Sequence, residues 1–341
     1  MSDSPHTVSV VIPVYQGEKT LAGVLAEIAP LAVPISSPGG NQYVVTEVLL
    51  VHDNGPDHSD DVMRALDEKY DFVRPLWLSK NYGQHAATLA GMASSGGDWV
   101  VSLDEDGQHD PAAIGSLLDT ALRERASIVY AKPTNEAPHG FMRNSASKLA
   151  KWMLTKLAGG GAASDFQSYR LMLGSLARSV AAYSGSGVYL DIALGWMAGK
   201  VTTSPVTLRE EGDRPSGYSM RRLFSHFWRM VISSGTRGLR LVSLIGAGFG
   251  LAGIAVAIYI LVARLTSSDV PEGWASTIVV ILISAGAILF ALGIIAEYIG
   301  VNVNMAMGKP PYLIVSDPAN GPLGRGRQER PSPQGSDPAS Q

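Results

Sequence analysis

Val8–Val14 is a run of β-branched residues broken at Pro13, and a helical pattern follows over Leu21–Ala29. Glu47–Val51 and Val73–Leu78 are further buried-strand runs, each trailed by polar turn residues. Between them Asp61–Tyr70 has helical spacing, as does Gln84–Ser94 after the third strand. Trp99–Leu103 predicts a fourth strand and Ile128–Tyr130 a short later one. Strands alternating with helices predict an α/β domain with a mostly parallel sheet. In such sheets ligands sit beyond the carboxyl ends of the strands, so the polar residues after each strand are the candidates for chemistry. Pro34–Asn41 is expected to be a loop insertion.

Two later runs follow a different rule. Leu241–Ala263 and Trp274–Ala296 contain no charged residue. As helices each reaches about 35 Å, enough to cross a bilayer core. The alternative, a buried core helix, fits poorly with two such runs side by side. The short linker 264–273 makes them a hairpin with both chain ends on one side. Arg214, Arg221, Arg222, Arg229, Arg237 and Arg240 precede the first run, and Lys309, Arg325 and Arg327 follow the second. That bias puts both ends in the cytoplasm. The glycines at 246 and 250 form a GxxxG pattern that suits close helix packing in a homo-oligomer, a tetramer being one form. Arg143–Leu157 and Tyr218–Ser233 are basic and amphipathic, as expected of helices on an anionic membrane surface. Residues 316–341, rich in Pro, Gly, Ser and Gln, are expected to be a disordered tail.

Composition sharpens this picture. Charged residues make up 17%, well below the roughly 25% of ordinary soluble domains. With 27 basic and 30 acidic side chains the net charge is −3, which argues against nucleic acid as a partner. There is no cysteine, so disulfides, thiolate metal sites and a cysteine nucleophile are excluded. The first 20 residues hold no long apolar stretch of the secretory type.

The candidate chemistry lies at the fourth strand end, Asp104-Glu105-Asp106-Gly107-Gln108-His109-Asp110. Asp104 and Asp106 can aim two hard oxygen ligands into one crevice, the donor set that suits Mg²⁺ or Mn²⁺ on a substrate diphosphate. Taken alone, such a pair is more often a solvated turn, and His109 more often a hydrogen-bonded residue than a ligand. Pro13 and Tyr15 after the first strand, Asp53 after the second and Asn81 after the third complete a polar rim of the kind that holds a nucleotide.

At this point the residues resemble a known family. The segments at 8–15, 47–59, 78–92 and 102–111 resemble family 2 glycosyltransferases with a GT-A fold. SDFQSYRLM at 164–172, RPSGYSMRRL at 214–223, EYIG at 297–300 and GKPPYLIV at 308–315 are similar to the polyprenyl-phosphate branch of that family. That branch includes the GtrB-type and ArnC-like bacterial enzymes and, more distantly, dolichol-phosphate mannose synthase; NYGQHAATLAGM and the spacing of the two spans are most like the ArnC-like group.

The resemblance implies a Rossmann-like catalytic domain over 1–213, with an interfacial helix near 143–157. A juxtamembrane helix over 214–238, a transmembrane hairpin over 239–297, a return segment over 298–315 and the tail follow. It implies an inverting transfer from a nucleotide sugar, UDP favoured, to undecaprenyl phosphate at the cytoplasmic face of a bacterial plasma membrane. Asp104 and Asp106 would hold Mg²⁺ or Mn²⁺. Pro13, Tyr15, Asp53, Asn81 and Asp104 would line the nucleotide site, and Gln108 would lie near the sugar. Arg170 and Arg214, with Ser216, Tyr218 and Arg221, would meet phosphate groups, which the arginine fork suits.

The sequence departs from the family pattern in three places. His52-Asp53-Asn54-Gly55 stands for the usual Asp-Asp-Gly-Ser, Gln16-Gly17-Glu18 for Asn-Glu-Glu, and Glu105 and Gly107 for Ala and Leu. Three rival readings are a processive polysaccharide synthase, a nucleotidyltransferase and a non-catalytic or flippase-associated membrane subunit. The first lacks its Gln-x-x-Arg-Trp motif, the second leaves the lipid-facing segments unexplained, and the third does not need the retained carboxylates.

Overall fold

The computed structural model describes residues 4–134, 167–185, 189–209 and 273–321, with scattered positions between 246 and 262. In chain order the elements are β1 (His6–Val14), α1 (Leu21–Ile28), β2 (Ile35–Ser36), β3 (Gln42–His52), α2 (Ser59–Lys69), β4 (Val73–Leu78), α3 (Gln84–Ser94), β5 (Trp99–Ser102) and α4 (Ile114–Glu124). They continue with β6 (Ile128–Pro133), β7 (Arg170–Leu173), α5 (Gly174–Tyr183), α6 (Leu190–Met197), β8 (Val201–Val206), α7 (Trp274–Ala306) and β9 (Ile314–Val315).

The strands form one sheet in the order β8-β6-β7-β5-β1-β3-β4-β9, with β2 paired to β3. The expected parallel unit is present: β5, β1, β3 and β4 run side by side in one direction. Their chemistry explains it, since Val10, Val11, Ile12, Val48, Leu49, Leu50, Val100 and Val101 are all fully buried and fill both faces. One face packs on α1, α2 and α4, the other on α3, α5 and α6.

Beside this parallel unit, β7 inserts antiparallel between β5 and β6. Two expectations are corrected. The 34–41 stretch is not all loop, because Ile35–Ser36 pairs back onto Tyr43 and Gln42. The chain beyond Val315 is not wholly a free tail. β9 adds antiparallel to the β4 edge, and Asp317 then forms two 2.9 Å contacts to the Arg64 guanidinium.

Helix α7 begins at Trp274 as expected but runs ten residues past Ala296. At 33 residues it is about 50 Å long. Its apolar side chains lie on the outside: Ile288, Leu289, Phe290 and Leu292 are more than half exposed. Among the described residues it holds the one stretch long and apolar enough to cross a membrane. The first apolar run lies mostly outside the described residues; its described positions, such as Leu251, Ile254 and Ile258, are helical and exposed. The 143–157 and 214–238 segments lie outside the described residues.

Candidate active site

β1, β3, β4 and β5 end at one edge, in register through Val14–His52 and His52–Trp77. The loops leaving those ends build the site. After β5, Leu103 stays buried and its N–H still donates to Val11, so the chain turns only at Asp104. Asp104 is half-buried and held from two sides. The Gln84 amide at the start of α3 donates to one oxygen at 2.6 Å, and the Ser168 hydroxyl to the other at 2.6 Å. Each oxygen keeps a second lone pair for a ligand. Asp106 accepts the Gln108 N–H at 3.0 Å, which closes the turn over Gly107, where φ is +78°. His109 is buried, its ring stacked on Tyr169, and its Nδ1 accepts the Asp104 N–H at 3.0 Å. It braces the turn and is not aimed outward.

The second rim carboxylate behaves differently. Asp53 is 3% exposed, and its two oxygens accept the N–H groups of Tyr82 and Gly83 at 2.7 and 2.8 Å. Burial raises its pKa above the usual carboxylate value, and those two amides oppose the rise. The structure places Asp53 as the anchor of the loop into α3, where Gly83 takes φ +92°. His52, which stands where the family has an acid, is also closed in. It packs on Trp77 with ring centroids 5.4 Å apart, and burial holds its pKa low.

Arg170 is the largest departure. It pairs across the sheet with Ser102, and its side chain is 3% exposed. The guanidinium binds the Asp191 carboxylate, donates to Ser102 Oγ at 3.1 Å and lies 6.0 Å from the Tyr130 ring centre. Tyr130 donates its hydroxyl to the same Asp191 at 2.9 Å. The structure thus places the Arg170 guanidinium in a buried network with Asp191, Ser102 and Tyr130, where it has a structural role.

The remaining residues fall into two groups. Pro13 is partly exposed, Tyr15 is 42% exposed, and Asn81 is exposed, so these three stand at the open rim with Asp104 and Asp106. Gln108 is half-buried beside them and accepts the Arg209 N–H at 3.0 Å. Arg214, Ser216, Tyr218 and Arg221 lie outside the described residues. Sequence reasoning missed Gln84, Ser168, Glu105 and Arg209. Arg209 bridges Glu27 at 2.7 Å and Asp110 at 3.1 Å, tying the acidic turn to α1. Gln84 and Ser168 each sat inside a quoted motif, but nothing local marks them as supports for a carboxylate 20 and 64 positions away.

The donor set fits a hard divalent cation: two half-buried carboxylates on one tight turn, with no sulfur or outward-facing imidazole beside them among the described residues. A second acidic group, His58 with Asp60 and Asp61, stands at the start of α2, where both carboxylates pair with Arg64.

Comparison with known proteins gives a family match and several relatives. Residues 9–168 match the model of glycosyl transferase family 2. The undecaprenyl-phosphate 4-deoxy-4-formamido-L-arabinose transferase of Photorhabdus laumondii is 28% identical over 314 residues, covering 90% of this chain and 93% of that one. The enzyme of the same name from Edwardsiella ictaluri is 28% identical over 310 residues, with the same coverage. Among solved structures, glucosyl-3-phosphoglycerate synthase from Mycobacterium tuberculosis aligns with 68% of this chain and 78% of its own, at 17% identity and a TM-score of 0.49. The stretch from β1 through the acidic turn to Ser168, with its carboxylates at the open end of a parallel sheet, is the part of the chain that matches glycosyl transferase family 2.

Proposed function

We propose that the protein transfers a sugar from a nucleotide sugar to undecaprenyl phosphate at a membrane surface. The observation that carries this reading is one chain joining the Asp104–Asp106 turn of a family 2 domain to an exposed apolar helix. The names of relatives aligned over nine-tenths of the chain support the lipid acceptor.

The return of the chain supports the membrane topology. β9 pairs with β4 soon after α7 ends, so the carboxyl end of α7 lies on the side of the catalytic domain. If α7 spans the bilayer, Trp274 is on the far side. The chain between Val206 and Trp274 must then cross once, and Leu241–Ala263 is the charge-free run there. This gives a two-helix hairpin with the catalytic domain and return segment in the cytoplasm, as the arginine bias requires.

In the reaction a phosphate oxygen of the acceptor bonds to the anomeric carbon with inversion, while the bond to the nucleoside diphosphate breaks and that group leaves with the electron pair. A phosphate monoester has its second pKa near 6, so about neutral pH it needs no strong general base. The work left to the chain is orientation and charge neutralisation. Asp104 and Asp106 would hold Mg²⁺ or Mn²⁺, which when bound offsets the charge of the diphosphate. Gln84 and Ser168 fix the Asp104 carboxylate, and Gln108 fixes Asp106. Tyr15, Pro13 and Asn81 border the nucleotide. Arg214, Ser216, Tyr218 and Arg221 are the proposed acceptor-phosphate contacts, and the interfacial segments bring the lipid headgroup to the crevice.

The test is a transfer assay with purified protein, undecaprenyl phosphate, Mn²⁺ and a panel of radiolabelled UDP- and GDP-sugars. Label extracted into the lipid phase, and lost on chelation, is the expected result. No lipid label from any donor overturns the reading.

A further inference from the structure

The turn between β1 and α1 presents four successive backbone N–H groups, and each is taken by a side chain from elsewhere. Tyr15 and Gln16 donate at 2.9 Å to the two oxygens of Glu105. Gly17 donates to Ser59 Oγ at 2.8 Å and Glu18 to Asp57 Oδ2 at 3.1 Å. Such a row of N–H groups attracts anions, and a carboxylate that takes two of them makes charge-assisted bonds of the stronger kind. Glu105 lies between Asp104 and Asp106, so its backbone belongs to the acidic turn while its side chain grips the facing loop. A Cβ at Gly17 would sit 2.7 Å from Glu105 Oε2, so a side chain there would make the carboxylate shift.

We infer that Glu105 is a positioning residue for the donor nucleotide: it fastens the 15–17 turn to the Asp104–Asp106 turn, so the two walls of the donor crevice are spaced before the donor arrives. Tyr15 is an exposed side chain on one wall and the two aspartates are on the other. Without the clamp the loop would be ordered at the expense of binding. The inference rests on the nucleotide-sugar reading above.

The test measures UDP binding in the presence of Mn²⁺ by calorimetry, and donor KM and kcat, on full-length protein. The variants are Glu105→Gln, which keeps the shape, Glu105→Ala, Gly17→Ala and the double variant Gly17→Ala/Glu105→Ala. Loss of charge-assisted bonds of this kind is expected to raise the UDP Kd about tenfold in Glu105→Gln and further in Glu105→Ala. Donor KM should rise in step, with kcat and acceptor KM nearly unchanged. The methyl group of Gly17→Ala should evict the carboxylate and match Glu105→Ala, and the double variant should bind no more weakly than Glu105→Ala alone. A purely structural role predicts instead that the two costs multiply, and that result overturns the inference. So does wild-type affinity in both Glu105 variants. Wild-type protein that binds no nucleotide with Mn²⁺ overturns the donor-site reading itself, and the inference with it.

Discussion

Asp104 and Arg170 leave neighbouring strands at almost the same level of the sheet, and both carry the kind of charge a phosphate-transfer site uses. One is open and the other is shut. Asp104 sits just past the end of β5, half-buried, its two oxygens held by two neutral donors. Arg170 sits within β7 against Ser102, fully enclosed, with its charge cancelled by Asp191. A charge kept available for a ligand is steadied by neutral groups at the rim, and a charge used for structure is paired inside. Asp53 is a third case, an acid at a strand end that is spent on two loop amides.

The sharpest way to break this comparison is to remove the closed charge. Arg170→Ala leaves Asp191 buried without its partner and should cost about 3–5 kcal/mol of stability, read from chemical unfolding. If the loss falls on transfer activity while unfolding is unchanged, Arg170 is a ligand after all. Asp106→Ala should show the opposite signature: transfer to lipid lower by about two orders of magnitude or more, with the unfolding midpoint hardly moved.

A charge placed on α7 probes a different contrast, because the same aliphatic residues that are buried at Val10 and Leu50 are exposed at Ile288 and Leu289. Ile288→Arg should cost about 2.5–3.5 kcal/mol of membrane insertion and reduce the carbonate-resistant membrane fraction. The smallest effect is expected at the return segment. The Arg64 guanidinium holds the Asp317 carboxyl below its usual pKa, so the docking of β9 gains from this pair above about pH 4 and loses that gain as pH falls further. The pair lies near the surface and should contribute about 1 kcal/mol or less. The protection factor of the Ile314–Val315 amides, exchange rate corrected for its intrinsic pH dependence, should therefore fall in acid, and Asp317→Asn should remove that dependence.

Much of this architecture was legible along the chain. β4 and α3 have the limits their patterns predict, and the parallel unit follows from uninterrupted β-branched runs. The short partners were not legible. β7, β8 and β9 are weak local patterns that become strands because a neighbouring edge offers hydrogen bonds. The acidic turn was legible because three carboxylates and a glycine lie within four residues. Its supports were not, since Gln84, Ser168 and Arg209 look like ordinary polar residues.

The sequence by itself determined the alternation of strands and helices, the position of the carboxylate turn and the start of the apolar helix. These are local properties, set by side-chain shape and by the periods of strand and helix. Only the tertiary structure decided which charges stay open. Arg170 closes on Asp191 and Asp104 opens beside Ser168 because β7 slots antiparallel next to β5, and the free energy of an ionised group depends on the neighbours that folding brings to it.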